Sequence, residues 1–491
     1  MVLFLAGAVL LRFWTTSDLW LDEALTVDIS KTAVSQIPGY LRRDGSPPLF
    51  YVLLHYWMDW FGTSDLAVRS LSGVIGVATM PVVWVAGKRI GGKRVGWAAV
   101  VFLASSPFAV YYDTEARMYA LVAFLTAVGF LALDSALRKP SIWNLAAVSL
   151  VTAALLYTHY WALYLLAVVG LWLIWRALRS VDRKPALLAA GAMVLGGASF
   201  APWLPIFIFQ ATHTGTPWTT PSGFTAVYSA ITEFTGGDTD QGRLLALMVF
   251  ALCGLGLFGA SVDTRHIELD LATRRPAQPL AIVVVGTLIL AVIGGRISDS
   301  AFTDRYASVV FIPLLLLVAL GVGCLESSKV RMGVLASAAV LGLIGAIPNI
   351  TTNRTQAGQV ASVINAQGRR GDVVGYCPDQ LGPAVNRLLH SGFDQVTFPR
   401  GIGPKFVDWV DYNKAVRLGD PKAFAAKLEE LAGEDHAIWV VWAPGYRDYA
   451  SKCESIVTTL RANPLYSARQ MVHWDPPRFY EPMFLTRFEP T

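Results

Sequence analysis

Residues 303–325 read Thr-Asp-Arg-Tyr-Ala-Ser-Val-Val-Phe-Ile-Pro-Leu-Leu-Leu-Leu-Val-Ala-Leu-Gly-Val-Gly-Cys-Leu. From Ala307 to Leu325 no residue is charged. A helix needs about 20 such residues to cross the hydrocarbon core of a bilayer. The charges of this stretch, Asp304 and Arg305, stand together at one end, at the depth of lipid headgroups. The same pattern recurs along the chain, with apolar stretches near 2–19, 70–87, 95–111, 118–137, 141–157, 162–179, 187–209, 243–262, 279–295 and 330–350. Together with 307–325 they predict a polytopic α-helical membrane protein of about 11 transmembrane helices.

Composition agrees. Of 491 residues, 54% are hydrophobic and 15% charged, against about 25% charged in soluble domains. Disorder, collagen-like repeats and nucleic-acid binding are all disfavoured. Four cysteines in this length fit neither a disulfide scaffold nor a CxxC zinc pattern. Met1 opens directly into the first apolar run without a basic flank or a cleavage site, so a membrane helix is expected there rather than a removed leader.

Short cytoplasmic loops retain Lys and Arg, and that rule orients the chain. Lys88, Arg89, Lys93 and Arg94, then Arg138 and Lys139, then Arg176, Arg179, Arg183 and Lys184, then Arg265, Arg274 and Arg275, and finally Lys329 and Arg331 occupy every second loop. Fifteen of the 40 Lys and Arg thus mark one side, so the formal net charge of +5 is mostly a record of topology. The expected arrangement is a cell or inner membrane protein with a cytoplasmic N-terminus and an extracytoplasmic C-terminal part. Residues 47–61 would invert this order if they spanned. Opening on two prolines and rich in Trp and Tyr, they read as an interfacial helix within the first outside loop, residues 15–69. After Pro348 the composition changes. Gly-Asp and Asn-Pro turns, strand-like runs at Asp372–Tyr376 and Ala437–Val441, and helix-like stretches near 380–390, 421–433 and 447–462 predict an α/β domain over 351–491. Cys377 and Cys453 lie in it as either a disulfide or two buried thiols.

With the basic residues accounted for by topology, the outer acidic and basic groups stand out. Trp20-Leu21-Asp22-Glu23-Ala24 follows the first span. Adjacent helical residues do not share a face, so Asp22 and Glu23 are expected to do different jobs, one at a substrate and one at a structural or metal partner. Solvated loop acids are the plain alternative. Tyr111-Tyr112-Asp113-Thr114-Glu115-Ala116-Arg117 lies at a second outer junction, where Glu115 and Arg117 are either functional or a structural pair. Arg305 suits a phosphate, which its planar fork binds bidentately, or simply snorkels. Arg42, Arg43, Asp44 and Ser46 border the interfacial helix, which carries His55. His159 and Tyr306 open or close spans on the same side. Phosphate-loop, HExxH and GxSxG motifs are absent.

Trp-x-Asp-Glu-Ala at 20–24, Pro-Pro-Leu-Phe-Tyr at 47–51, Arg69 after a Gly-Thr-Ser-Asp turn, Glu-Ala-Arg-Met-Tyr at 115–119 and Asp-Arg-Tyr at 304–306 together resemble the GT-C superfamily of membrane glycosyltransferases. The similarity is to the branch of the protein O-mannosyltransferases and the aminoarabinose transferases of lipid A, and it covers residues 1 to about 350. The resemblance implies an inverting transferase that passes a hexosyl or pentosyl unit from a polyprenyl-phosphate donor to a glycan, glycolipid or protein acceptor at the outer face. Asp22 would be the general base, with Glu23, Asp113 and Glu115 as further catalytic candidates. Arg117, Arg305, Arg42 and Arg43 would serve the donor phosphate. Where the family usually has His or Lys before Pro-Pro-Leu, this chain has Ser46, so Arg42, Arg43 or His55 would have to take over its contact. A divalent cation, if used, would fall to Asp22, Asp113 and Glu115. The reading from another class is a polytopic transporter or lipid flippase, which would carry ionisable groups inside its spans. For the tail, acceptor binding or a lid over the site is expected.

Overall fold

The computed structural model describes residues 2–214, 225–297, 303–446 and 449–491. An apolar helix α1 (Val2–Leu11) leads into three helices, α2 (Leu21–Ser30), α3 (Ile37–Asp44) and α4 (Leu49–Phe61). There follow α5 (Asp65–Ser105), α6 (Pro107–Asp113), α7 (Tyr119–Arg138), α8 (Ile142–Thr158), α9 (Ala162–Arg179), α10 (Lys184–Ala198) and α11 (Leu204–His213). The bundle continues with α12 (Thr225–Glu233), α13 (Asp240–Phe258), the hairpin of β1 (Gly259–Ser261) and β2 (Ile267–Leu269), α14 (Gln278–Ile297), α15 (Ser308–Gly323) and α16 (Ser328–Thr351). Among the described residues, eight helical segments are long and apolar enough to cross a membrane, while α1 and α8 are apolar but shorter. The chain is a multi-pass membrane protein.

The stretch quoted first becomes the axis of the bundle, for every residue of α15 from Ser308 to Val322 is buried. Small residues let neighbouring backbones touch it. A Cβ on Gly321 would stand 1.9 Å from the Leu252 carbonyl oxygen of α13, and one on Gly256 would stand 2.5 Å from that of Leu317.

Two expected spans change shape, each for a local reason, and a further pair is joined by a tight break. The first helix stops at Leu11 rather than running to 19. Arg12 turns inward to donate to the carbonyls of Ala8 (2.8 Å) and Leu103 (3.0 Å) and to pair with Asp113 (2.7 Å). The stretches at 70–87 and 95–111 remain two helices, the halves of α5, parted by non-helical Gly91 and Gly92 within the expected basic loop. Gly92 has φ +82° and ψ −176°, a conformation open essentially to glycine. The halves meet where a Cβ on Gly87 would stand 2.8 Å from Gly96 Cα. The run at 187–209 is interrupted between α10 and α11, where Pro202 and Pro205 remove amide donors.

The basic loops gather at one end of the bundle. Arg89 bonds Asp134 (3.2 Å) and Ser135 (2.7 Å), Arg94 bonds Glu326 (2.7 Å), and Arg274 reaches Cys324 Sγ (2.9 Å). At the other end α4 buries Phe50, Tyr51, Leu54 and Met58 and leaves Leu53, Tyr56, Trp60 and Phe61 exposed. Both of its faces are therefore apolar, which suits a helix lying along a lipid surface.

Beyond α16 the chain becomes α/β: α17 (Ala357–Gln367), β3 (Val373–Cys377), α18 (Gly382–Leu388), β4 (Asp394–Thr397), α19 (Tyr412–Leu418), α20 (Pro421–Ala432), β5 (Ile438–Trp442), α21 (Lys452–Ala462), β6 (Tyr466–Val472) and β7 (Phe484–Pro490). The five-stranded sheet has the order β4-β3-β5-β7-β6. Its first three strands are parallel and the last two antiparallel to their neighbours. Cys377 at the end of β3 and Cys453 on α21 form a disulfide. This tail sits on the helices of the first loop. Arg387 pairs with Asp65 (2.8 Å), Phe406 stacks on Tyr40, and Trp409 N–H donates to the Arg43 carbonyl (3.1 Å).

Candidate active site

The first turn of α2 presents Asp22 and Glu23 in opposite directions. Glu23 is fully buried, and Arg69 clasps it through Nε (2.7 Å) and Nη2 (2.6 Å). Ala116 N–H donates to its Oε1 (2.9 Å), and Arg354, just past α16, approaches to 3.8 Å. Burial alone would raise this carboxyl's pKa. The adjoining Arg69, Arg354 and the Ala116 amide outweigh burial and hold it below the usual carboxylate range. Arg69 also donates to the carbonyls of Ser17 (2.6 Å) and Asp18 (3.1 Å). Glu23 is thus a structural node joining the first loop, α5, the α6–α7 junction and the start of the tail.

Asp22 faces the other way. Its Oδ2 accepts from Arg305 Nη1 (2.7 Å) and lies 3.9 Å from Arg117 Nη2. Its side chain is 16% exposed, and Oδ1 makes no hydrogen bond among the described residues. Arg117 donates to Thr26 Oγ1 (2.9 Å) and to Tyr51 Oη (3.3 Å). Tyr51 in turn donates to Asp44 Oδ2 (2.9 Å). A chain of contacts therefore runs Asp44, Tyr51, Arg117, Asp22, Arg305 across residues more than 280 positions apart. Burial raises the Asp44 carboxyl's pKa, opposed by Arg117 and by the Ser46 and Tyr51 hydroxyls.

Glu115 stands beside this chain. Trp20 Nε1–H donates to its Oε1 (2.9 Å), while its Oε2 is buried with no hydrogen-bond partner among the described residues. Burial pushes its pKa up to about 7, with the charges of Glu23 and Asp22 adding to the rise and Arg354 and Arg117 opposing it. Glu115 and Arg117 do not pair through their side chains, since the guanidinium turns to Thr26, Tyr51 and Asp22 instead. His159 is buried between the rings of Tyr119 and Tyr306, and its Nδ1 accepts from Trp161 N–H (3.2 Å). Burial, then the charges of Arg117 and Arg305, lower its pKa to about 3, so it stays neutral and is a poor base. Tyr306 also lies below the Arg305 guanidinium, 5.8 Å from its ring centre.

Several candidates stand apart from this cluster. Asp113 faces Arg12 and fills the space a Cβ on Gly76 would need, 2.2 Å away. Its place in the sequence beside Glu115 did not put it in the same site, because α6 ends between them. Arg42 lies on the Phe209 ring, 3.8 Å from its centre, and Arg43 is exposed. His55 bonds the Ser30 carbonyl (2.7 Å). Ser46 touches the site through the side chains of Asp44 and Tyr51. Among the described residues, no three His, Cys, Asp or Glu side chains gather to hold a metal ion. Asp22 and Glu115 are set among arginines and Asp113 points elsewhere, so the proposed trio does not fit a divalent cation.

Five residues of this centre were not singled out from their own chemistry: Trp20, Tyr51, Arg69, Arg354 and Glu481, the last of which accepts from Leu21 N–H (3.2 Å). The first three belong to motifs quoted above. Arg354 carried a signal of its own, as an arginine directly after a span at the end opposite the basic loops.

Residues 45–206 match the family described as dolichyl-phosphate-mannose-protein mannosyltransferase. No curated protein matches the chain by sequence. Solved structures match over its whole length. ArnT from Cupriavidus metallidurans bound to undecaprenyl phosphate superposes with a TM-score of 0.62 at 13% identity, covering 99% of this chain and 97% of that one. The arabinofuranosyltransferase AftD from Mycobacteria gives 0.55 at 13% identity, covering 100% of this chain and 39% of that much longer one. The oligosaccharyltransferase of Archaeoglobus fulgidus, solved with zinc and sulfate, gives 0.51 at 11%, covering 89% and 67%. The chain has the GT-C membrane glycosyltransferase fold.

Proposed function

We propose that the protein is an inverting glycosyltransferase that moves a sugar from a polyprenyl phosphate to a hydroxyl of a cell-envelope glycan, glycolipid or protein at the outer face of the membrane. The observation that carries this reading is Asp22, a carboxylate with one oxygen held by Arg305 and the other unengaged, at the end of the bundle remote from the basic loops. Asp22 Oδ1 takes the proton of the acceptor hydroxyl as its oxygen bonds to the anomeric carbon. The carbon–oxygen bond to phosphate breaks, its electron pair stays on the phosphate oxygen, and a single displacement inverts the carbon. Arg305 and Arg117 supply positive charge where the leaving group becomes more negative.

A lipid-linked donor also needs room for its chain. Between α7, α8, α9, α14 and α15 lies a cavity of about 520 Å³ lined largely by apolar side chains, within the range of about 300–1,000 Å³ typical of ligand sites. Thr126, Leu155, Leu165 and Ile312 line it. They sit four to seven residues inward of Tyr119, His159, Trp161 and Tyr306, or about 6–10 Å below the polar cluster at 1.5 Å per residue. The ArnT structure, which shares this fold, is bound to undecaprenyl phosphate. Transport is the weaker reading, because the carboxylates and arginines gather at the two ends of the bundle instead of lining its middle.

The test is Asp22→Asn. Transfer of label from a radiolabelled polyprenyl-phosphate sugar to membrane acceptors should fall at least 100-fold, with the protein still folded. Near-normal transfer would remove Asp22 as the base.

A further inference from the structure

Helix α2 carries Asp22 in its first turn, yet its own N-cap residue, Trp20, offers no side-chain cap. The first amide groups of a helix need acceptors, and Leu21 N–H finds one in the tail, at Glu481 Oε1 (3.2 Å). The other carboxyl oxygen accepts from Thr355 Oγ1 (2.6 Å). Glu481 is 5% exposed, and its backbone is fixed on both sides. Its N–H donates to the Arg354 carbonyl (2.8 Å), and its carbonyl accepts from Gln356 N–H (3.0 Å). Next to it, Tyr480 sets its ring edge-on against Trp20, 5.2 Å between centres, and Trp20 holds Glu115.

We infer that Glu481 is a positioning residue for Asp22: the tail supplies the cap that fixes the start of α2, and with it the direction of the base. This rests on the transferase reading above. It makes the tail part of the reacting centre's frame, a different role from a lid or an acceptor platform. The groups facing Glu481 are Leu21, Asp22 and Glu23 of α2, Thr355 beside Arg354, and Tyr446 and Tyr480 of the tail. Burial pushes the Glu481 carboxyl's pKa up to about 8, and the negative charges of Asp22 and Glu23 add to the rise. At neutral pH it caps as a neutral acid. Above about pH 8 it brings a further negative charge beside the base.

Two variants test this. Glu481→Gln keeps the acceptor for Leu21 N–H and cannot ionise. It should retain kcat within about twofold near pH 7 and keep its activity above pH 8, where the wild type declines. Glu481→Ala leaves the amide uncapped. It should lower kcat about 10- to 100-fold, as small misplacements of a reacting group do, with KM for the polyprenyl-phosphate sugar changed less than about threefold. Hydrogen exchange over residues 20–24 should quicken in the alanine variant and not in the glutamine variant. Unchanged exchange there, full kcat in Glu481→Ala, or an alkaline decline identical in Glu481→Gln and wild type would each overturn the inference. Exchange is read without turnover, so it stands apart from the transferase reading, which the Asp22→Asn experiment tests by itself.

Discussion

Replacing Glu23 by Ala is expected to cost about 3–5 kcal/mol, because it leaves the buried Arg69 without its carboxylate. Thermal unfolding in detergent should show a large fall in Tm. Asp22→Asn, one residue away, should leave Tm near the wild-type value while abolishing transfer, since Asp22 is partly solvated. A second pair of measurements concerns Glu115. Its raised pKa means that the folded protein holds a proton the unfolded chain releases near its ordinary value of 4.5. The associated stability is fully present below that value and is lost as pH rises toward about 7. Glu115→Gln should flatten the pH dependence of Tm between about pH 4.5 and 7. The split between Asp22 and Glu23 was legible in the sequence, because neighbouring helical positions must point apart. Which of the two is structural was not, since that depends on Arg69 and Arg354, both remote along the chain. Asp113 shows the opposite failure, as sequence proximity to Glu115 stood in for a shared site.

At the level of elements, apolar length located the helices well, because exposing such runs to water has no low-energy solution. Breaks inside them were less visible. Hydrophobicity counts Pro202 and Pro205 as apolar, yet each lacks the amide a helix needs. At Gly91-Gly92 the break was legible, because Lys88, Arg89, Lys93 and Arg94 part the apolar runs of the two halves of α5. Gly92→Ala should cost about 1–3 kcal/mol, since the native φ and ψ there are nearly closed to a Cβ, and a lowered Tm would show it. The bond between Cys377 and Cys453 spans 76 residues. Replacing both by Ser should destabilise the tail by about 4 kcal/mol in a chain-entropy account, as followed by denaturant unfolding under non-reducing conditions.

For the molecule as a whole, the tail is fastened to the first loop by Arg387 on Asp65, Trp409 on Arg43 and Glu481 on Leu21. Removing residues 351–491 is therefore expected to weaken donor binding as well as acceptor use. Arg354, which faces Glu23, would go with the tail. Binding of a labelled polyprenyl phosphate to the shortened protein checks this, and full retention would count against it. Membrane character, and the gathering of polar residues at the end away from the basic loops, were open to reading from composition and charge order. The docking of the tail was not, because its contacts join the two extremes of the sequence and leave no local trace.

The hydrogen bond from Leu21 to Glu481 joins residues 460 positions apart. Such long-range closures form late, after the intervening chain has folded. During synthesis, then, the spans would be inserted and the sheet of the tail assembled before α2 receives its cap. Asp22 would stay loosely held until that moment. A nascent chain in the membrane would already own its base and its arginines, yet the start of α2 would lack its cap until the tail docks.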